Sequence, residues 1–528
     1  MCRTHEWRGR RDAQERPPLA QGKGRKFQSR TRRDTQQTSL MRSLMIQGCG
    51  SDVGKSVLVA GLCRLLANRG HRVRPFKPQN MSNNAAVTAD GGEIGRSTAL
   101  QALACRTPAT VDMNPVLLKP QSEIGAQLIV RGQRVGVLDA KAHGHDKQHL
   151  LQIAVESYRR LCAACDWIIV EGAGSPAETN LRAHDIANMG FAQAADLPVV
   201  LVGDIDRGHV IASLVGACSV LDAADRARIR GFIINKFRGD AALFAEGLST
   251  IERHTGWPSL GVVPWISATQ RLPAEDAMQL EATPRTPASG ARVKIAVPRL
   301  PHLANFDDFD PLLAEPNVAL VFVAPGEPLP LDAHLIVLPG SKATITDLAF
   351  LREQGWEHEL HTYVRRGGRV MGICAGYQML GRYVRDPDRI EGTRRVIAGL
   401  GLLDIETTMT PRKTLRQIAG IDVTTNTRVT GYEMHIGVST GRAAAQPMIR
   451  FDDGGIDGAI SDNGRISGCH VHGLFASTAY RAALLAALGA DSTGEHHAAR
   501  VDAALDEVAA TLERTLSIDK LLALSAER

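Results

Sequence analysis

Gly48-Cys-Gly-Ser-Asp-Val-Gly54-Lys55-Ser56 follows the apolar run Leu44–Gln47, which is typical of a buried strand, and precedes a segment with helical spacing. Glycines followed by Lys-Ser at such a strand-to-helix turn predict a phosphate-binding loop. Backbone N–H groups and the positive end of the helix dipole face the anion there. We expect Gly48 and Gly54 to shape this ATP-binding loop, Lys55 to contact the β- and γ-phosphates, and the Ser56 hydroxyl to bind Mg²⁺.

Five more apolar or β-branched runs follow in the first half and alternate with helical segments. They are Arg72–Phe76, Trp167–Val170, Val199–Val202, Gly231–Asn235 and Leu260–Val263. Short runs of this kind fit strands that are buried on both faces, and their alternation with helices predicts an open parallel α/β sheet. Ligands of such sheets bind at the carboxyl ends of the strands.

Charged side chains stand at these strand ends. Glu171 ends one strand and is expected to be a second Mg²⁺ ligand, since Mg²⁺ usually takes a carboxylate. Asp204 and Asp206 end the next strand at the same edge. Lys77, directly after the second strand, is expected to contact a transferring phosphate or a substrate carboxylate.

The second half contains a different motif, Gly372-Ile-Cys374-Ala-Gly376, at the end of the predicted strand Arg369–Ile373. Glycines on both sides of a cysteine at a strand end predict a tight turn that presents a nucleophile. A helix N-terminus and a nearby imidazole would favour the reactive thiolate. Other predicted strands of this half are Lys294–Val297, Val318–Val323 and Leu335–Leu338.

The partners of Cys374 are less sharply defined by the sequence. Both His470 and His472 lie near the end of this half and are candidates for the base. The backbone N–H of Gly340 or Ser341, after a predicted strand, is the candidate oxyanion hole.

Composition and charge restrict the remaining possibilities. Residues 1–40 hold eleven Lys or Arg and four Asp or Glu, so this tail accounts for the net charge of +6 and the body gives no argument for nucleic-acid binding. We expect the tail to be disordered and Met41 to be the natural start. Nine scattered cysteines fit a reducing cytoplasm, and no apolar run is long enough to predict a membrane helix. The expected domains are residues 41–282 and 291–528, joined by a linker at 283–290.

Six further stretches resemble the cobyric acid synthase family of glutamine-hydrolysing amidases. They are Pro75-Phe-Lys-Pro-Gln-Asn-Met-Ser-Asn-Asn84, Met113-Asn-Pro-Val-Leu-Leu-Lys-Pro120, Val170-Glu-Gly-Ala-Gly-Ser-Pro-Ala-Glu178, Asp185-Ile-Ala-Asn-Met-Gly190, Asp204-Ile-Asp-Arg-Gly208 and Ile234-Asn-Lys-Phe-Arg-Gly-Asp240. The resemblance implies a dethiobiotin-synthetase-like P-loop parallel-sheet domain followed by a class I glutamine amidotransferase-like α/β domain. It also implies that ATP and glutamine are used to amidate the b, d, e and g carboxylates of adenosylcobyrinic acid a,c-diamide.

The same resemblance implies roles for single residues. Asn235 stands where the superfamily binds the adenine base, and His472, in His-Gly-Leu-Phe475, is the expected base for Cys374. Class I glutaminases commonly have an acid two residues after this histidine, but Leu474 occupies that place. The third member of the triad therefore stays open, with a Cys-His dyad as the alternative. Glu433 and His435 belong to another family stretch without an assigned role.

Three alternative functions share part of this sequence pattern. The related a,c-diamide synthases amidate different carboxylates with the same chemistry. An ATPase switch of the MinD/ParA type would carry an extra lysine early in its loop, where this chain has Cys49 and Gly50, and would have no use for Cys374. A non-catalytic scaffold would not need Lys55 together with Cys374.

Overall fold

The computed structural model describes residues 41–120, 125–139, 144–273, 290–392 and 394–527. Residues from Leu40 onward form one compact unit. The predicted disordered tail, residues 1–40, lies outside the described residues. So does the predicted linker, residues 283–290, apart from Gly290.

The first half alternates strands and helices. Its strands are β1 (Arg42–Gly48), β2 (Val73–Phe76), β3 (Gln79–Met81), β4 (Ala85–Val87), β5 (Glu93–Gly95), β6 (Val116–Pro120), β7 (Gly125–Val130), β8 (Gln133–Asp139), β9 (Trp167–Glu171), β10 (Val199–Asp204), β11 (Ile229–Phe237) and β12 (Ser259–Pro264). Its helices are α1 (Lys55–Asn68), α2 (Arg96–Ala104), α3 (Gly144–Cys162), α4 (Met189–Ala194), α5 (Val210–Val220), α6 (Ala223–Arg228) and α7 (Ala245–Thr255).

A parallel sheet with the order β12-β11-β10-β1-β9-β2 forms the centre of this half. Its strands are covered on both faces, which agrees with their mainly apolar sequences: Leu44 and Ile46 of β1 face one core, and Met45 faces the other. All six strands predicted for the first half are present, which confirms the predicted parallel α/β sheet. The carboxyl ends of β1, β9 and β10 meet at one edge, and this edge holds the phosphate-binding loop.

Between β2 and α3 the chain leaves this sheet and forms two small ones, β3-β6-β7-β8 and the hairpin β4-β5. Helix α2 follows the hairpin. None of these strands was predicted from the sequence. For β3, β4 and β5 the reason is length, because three residues carry too little periodicity to indicate a strand. Strand β4 of this insertion contacts β19 and β20 of the second half.

The strands of the second half are β13 (Val293–Pro298), β14 (Val318–Val323), β15 (Leu335–Leu338), β16 (Val370–Ile373), β17 (Tyr383–Arg385), β18 (Val396–Ala398), β19 (Glu406–Asp422), β20 (Thr427–Thr440), β21 (Ile449–Phe451), β22 (Ile456–Asp457), β23 (Ala459–Ile460), β24 (Ile466–Cys469), β25 (Val471–His472) and β26 (Ala526–Glu527). Its helices are α8 (Asp310–Leu313), α9 (Thr344–Glu353), α10 (Trp356–Arg365), α11 (Ala375–Met379), α12 (Thr478–Leu488), α13 (His497–Thr515) and α14 (Ile518–Ala523).

Two sheets organise the second half. The first has the order β14-β13-β15-β16-β24-β23 and contains the four strands predicted from the sequence. The second, β18-β17-β19-β20-β25, is built on the long antiparallel hairpin β19–β20. Strand β25 carries His472 and pairs with β20, so this hairpin lies against the site of Cys374.

The C-terminal segment departs from the expectation that residues 291–528 pack together. Helix α13 packs on α1, where Val508 and Leu512 enter the core of the first half. Strand β26 pairs antiparallel with the start of β1. The periodicity of α13 gives the helix an apolar face, but periodicity alone does not say which apolar surface that face covers.

No helix within the described ranges is both long and apolar enough to cross a membrane.

Candidate active sites

The phosphate-binding loop connects β1 to α1, which begins at Lys55. Gly54 has φ 91°, a left-handed conformation that favours glycine. Lys55 Nζ donates to the carbonyl oxygens of Gly50, at 2.8 Å, and Gly174, at 3.1 Å. An added Cβ at Gly48 would collide with the side chain of Val53. The loop backbone therefore folds around the Lys55 side chain at the N-terminus of α1. The contact of Lys55 with phosphate stays a prediction.

Ser56 and Glu171 meet beside this loop, although 115 residues separate them. Ser56 Oγ donates to Glu171 Oε1 at 2.7 Å, and Lys77 Nζ contacts the same oxygen at 2.9 Å. Glu171 is 1% exposed. A hydroxyl and a carboxylate oxygen at the N-terminus of a helix are donors that suit Mg²⁺, so these residues fit the predicted metal position. Lys77 contacts the same Glu171 carboxylate.

Asn235 and Asp204 lie at the neighbouring strand ends. The Asn235 amide donates to Val53 O at 2.8 Å and packs against Gly54, so it supports the loop. Lys236 Nζ contacts Asp204 at 2.8 Å, and Arg238 pairs with Asp206. The structure thus gives Asn235 a contact with the loop backbone, and its role with adenine stays a prediction.

Cys374 occupies the turn between β16 and α11. Its backbone has φ 54° and ψ −112°, an unusual conformation for a residue with a side chain. Both flanking glycines are required: a Cβ at Gly372 would lie 2.5 Å from Tyr377 N, and one at Gly376 would collide with Leu338 O. The strained turn directs the thiol toward β20, where Sγ lies 3.6 Å from Met434 O. This is the geometry that the glycine spacing predicted.

His472 is held by a carboxylate from a distant part of the chain. Its Nδ1 lies 2.7 Å from Asp308 Oδ2, and the Gly473 N–H donates to Asp308 Oδ1 at 2.8 Å. Burial alone would lower the pKa of His472, but Asp308 and the Cys374 thiol together raise it to about 10. The opposite nitrogen, Nε2, is buried without a hydrogen-bond partner among the described residues. Asp308 thus occupies the position of the third triad member that the sequence left open.

His470, the rival base, makes different contacts. Its Nδ1 lies 2.8 Å from Asp457, and its Nε2 lies 3.3 Å from the Ser439 hydroxyl. The ring stacks on His435, with centroids 3.9 Å apart. Both nitrogens are therefore occupied, and this geometry favours His472 as the partner of Cys374.

The loop after β15 passes beside the histidine. A Cβ at Gly340 would lie 2.8 Å from His472 Cε1, so only glycine fits this approach. Ser341 Oγ donates to Asp347 at 2.6 Å, which fixes the turn. The backbone of this loop is near the triad, as an oxyanion hole requires, and the assignment of the donor to Gly340 or Ser341 stays a prediction.

Glu433 and His435 lie on β20 behind the cysteine turn. Glu433 pairs with Arg416, and His435 Nε2 lies 3.6 Å from Glu433 Oε1. Burial and the neighbouring His470 lower the pKa of His435. Glu433 and His435 flank Met434, whose carbonyl oxygen accepts a hydrogen bond from the Cys374 thiol.

Family models match both halves. Residues 44–280 match a "CobQ/CobB/MinD/ParA nucleotide binding domain" and residues 294–480 match a "CobB/CobQ-like glutamine amidotransferase domain". The residues of the two sites fall within these ranges.

Full-length relatives decide the family. A cobyric acid synthase of Caulobacter sp. (strain K31) is 62% identical over 481 residues, which cover 91% of this chain and 99% of the relative. Cobyric acid synthases of Sphingopyxis alaskensis and Methylobacterium nodulans are 58% and 57% identical, each covering 92% of this chain and 99% of the relative. The chain belongs to the cobyric acid synthase family. It is a glutamine amidotransferase with a nucleotide-binding half.

For this member of the cobyric acid synthase family, sequence reasoning missed two residues that contact the sites. Asp308 lies in the turn Phe306–Phe309, which is far along the chain from both Cys374 and His472. Gln101, on α2, donates to Glu171 and, at 3.3 Å, to Ser56 O. Asp307 and Asp308 lie about ten residues beyond the predicted strand Lys294–Val297, too far to be recognised as a strand-end pair. Gln101 lies in a short helix without any recognisable motif.

Proposed function

We propose that this enzyme uses ATP and glutamine to amidate the b, d, e and g side-chain carboxylates of adenosylcobyrinic acid a,c-diamide, giving adenosylcobyric acid. The observation that carries the proposal is the presence, in one compact unit, of a Cys374–His472–Asp308 arrangement and a loop with Lys55, Ser56, Glu171 and Lys77. The cobyric acid synthases that match nearly the whole chain support the choice of substrate.

The glutaminase half supplies ammonia. His472 accepts the proton of the Cys374 thiol as Sγ attacks the side-chain amide carbon of glutamine. The resulting oxyanion is stabilised by the backbone at Gly340 or Ser341. His472 gives a proton to the departing nitrogen, the C–N bond breaks, and ammonia leaves a thioester on Cys374. Water, deprotonated by His472, then hydrolyses the thioester to glutamate. Asp308 holds the imidazole in the orientation and tautomer that these transfers need.

The nucleotide half activates the acid. A corrinoid carboxylate oxygen attacks the γ-phosphorus of ATP, and ADP leaves. Ammonia attacks the carbonyl carbon of the acyl phosphate. The C–O bond to phosphate breaks, phosphate departs, and the amide remains after loss of a proton. Lys55 and Lys77 would balance the negative charge that develops on the phosphates. The Ser56 hydroxyl and the Glu171 carboxylate would hold Mg²⁺, whose charge shields the phosphate oxygens.

Mass spectrometry of the corrinoid tests the whole proposal. The purified enzyme is incubated with adenosylcobyrinic acid a,c-diamide, ATP, Mg²⁺ and glutamine, and the products are followed over time. We expect four successive mass decreases, one for each hydroxyl that an amino group replaces. Cobyrinic acid with free a and c carboxylates serves as the second substrate. Amidation of those two positions alone would make the enzyme an a,c-diamide synthase instead.

A further inference from the structure

Arg96 is the first residue of α2, in the nucleotide half, but its side chain reaches into the glutaminase half. Its guanidinium contacts Asp307 Oδ2 at 2.8 Å and donates to the Tyr432 hydroxyl at 2.7 Å. The side chain is 16% exposed. Its backbone N–H donates to Asn84 O at 3.1 Å, which holds the helix start in place.

Both partners of Arg96 adjoin the triad. Asp307 precedes Asp308 on the same turn, and the negative charges of these two acids repel each other. Tyr432 pairs with His472 across β20 and β25, and the two rings stack with centroids 5.3 Å apart and planes inclined by 18°. Arg96 therefore compensates the charge beside Asp308 and fixes the ring that lies on His472.

The same helix contacts the nucleotide site. Ser97 Oγ lies 3.4 Å from Lys77 Nζ, and Gln101 donates to Glu171 and to Ser56 O. Arg96 and Gln101 are five residues apart, about 8 Å along a helix axis. One short helix thus touches the residues proposed to bind phosphate and Mg²⁺ and, at its start, the surroundings of the triad.

We propose that Arg96 is a positioning residue for the glutaminase triad, and that α2 links the geometry of the triad to the occupancy of the nucleotide site. The proposal rests on the glutaminase role of Cys374. Any ligand that shifts Glu171, Lys77 or Ser56 acts on α2, and through Arg96 on Asp307 and Tyr432. Glutamine hydrolysis is then favoured when the acid substrate is being activated, so that ammonia is released when it can be used.

A matched control lies in the same interface. Lys413 of β19 forms an ion pair with Glu93 of β5 and is 14% exposed, so it resembles Arg96 in charge, burial and the halves that it joins. Within the described residues, its hydrogen bond and ion pair are with Glu93, not with Asp308 or His472. Arg96→Met and Lys413→Met each remove one interdomain ion pair, and they differ in whether that pair borders the triad.

Steady-state glutaminase assays compare Arg96→Met, Arg96→Lys and Lys413→Met with the wild type, by glutamate release. We expect Arg96→Met to lower kcat about tenfold or more, with the KM for glutamine within about threefold, since the loss is in orientation of the base. Arg96→Lys should recover part of that kcat. Lys413→Met should stay within about threefold. Thermal unfolding of each variant shows whether it is folded.

Two further readouts separate positioning from loss of structure. With ammonium in place of glutamine, Arg96→Met should form amides at the wild-type rate. ATP–Mg²⁺ with the corrinoid should stimulate glutamine hydrolysis in the wild type and not in Arg96→Met. An equal kcat loss in Lys413→Met, a parallel loss of the ammonium reaction, or an ATP effect that is absent from the wild type or unchanged by the substitution would overturn the proposal. If the proposed corrinoid is not the substrate, the wild type forms no amide from it. The glutaminase kcat of the variants can still be compared, because glutamate release is measured without any acceptor.

Discussion

The two active sites of this chain are assembled in contrasting ways. The nucleotide site is built around one continuous stretch, Gly48 to Ser56, to which strand ends add Lys77 and Glu171. The glutaminase site combines Asp308, Cys374 and His472, which come from three separate elements. A local motif fixes its own geometry through glycine and a helix start, whereas a dispersed triad depends on the packing of a whole domain. The local motif can be predicted from the sequence, whereas the dispersed triad can be predicted only in part.

Removal of the nucleophile should produce the largest effect and separate the two sites most sharply. We expect Cys374→Ser to lower glutamine-dependent amidation about 1,000-fold or more, because the hydroxyl is a far weaker nucleophile at neutral pH. The reaction with high ammonium should persist. Initial rates with the two nitrogen sources measure this, and loss of both would refute the division of labour between the halves.

Removal of Lys55 should impair amide synthesis and leave glutamine hydrolysis intact, the reverse of the Cys374 substitution. Lys55→Met should lower amide formation about 100-fold with either nitrogen source, since the charge on the transferring phosphate is left unbalanced. Glutamate release in the absence of ATP should change little. Lys294→Met, which removes a surface ion pair with Asp332, is the control and should leave all rates unchanged. Normal ammonium-dependent synthesis in Lys55→Met would remove the lysine from the reaction.

The two Asp–His pairs of the second half provide a direct test of the base. Asp308→Asn keeps the shape of the side chain but removes the charge that orients His472, so the glutaminase kcat should fall about 100-fold. Asp457→Asn makes the same change beside His470 and should cost much less activity per folded molecule. Circular dichroism establishes the folded fraction of each variant. The reverse order of effects would make His470 the base.

The smallest effect concerns stability and its pH dependence. The pKa of His472 is raised from the ordinary 6.5 to about 10, although burial opposes the charge, because Asp308 and the Cys374 thiol favour the imidazolium. The charged pair therefore stabilises the fold fully below pH 6.5, and this contribution is lost as the pH rises through 10. Urea unfolding should show Asp308→Asn about 2 kcal/mol less stable than the wild type at pH 6. A difference that does not narrow at high pH would argue against the charged pair.

The central strands of both halves were predictable because they are buried on two faces and stand between helices. Leu335–Leu338 has the same bounds in the sequence analysis and in the structure. The turn at Cys374 was predictable for a local reason, since its two glycines are required by Tyr377 and Leu338 a few ångströms away.

What the sequence did not reveal depends on contacts between distant segments. Asp308 lies 164 positions before the histidine it orients, so no spacing rule joins them. Arg96 contacts Tyr432, another partner far along the chain, and nothing around Arg96 marks it as part of an interface. Helix α13 has an apolar face, but both halves offer apolar surface and local periodicity cannot choose between them.

The position of α13 and β26 has a consequence for how the chain is made. The segments that cover α1 and pair with β1 are translated after the entire glutaminase half. The nucleotide half therefore completes its core only when synthesis of residues 497–527 is finished. A single cut near residue 290 would not yield two self-sufficient proteins, because the first piece would lack part of its own core. The chain thus keeps the ammonia source and its consumer in a fixed one-to-one ratio by the path of its backbone.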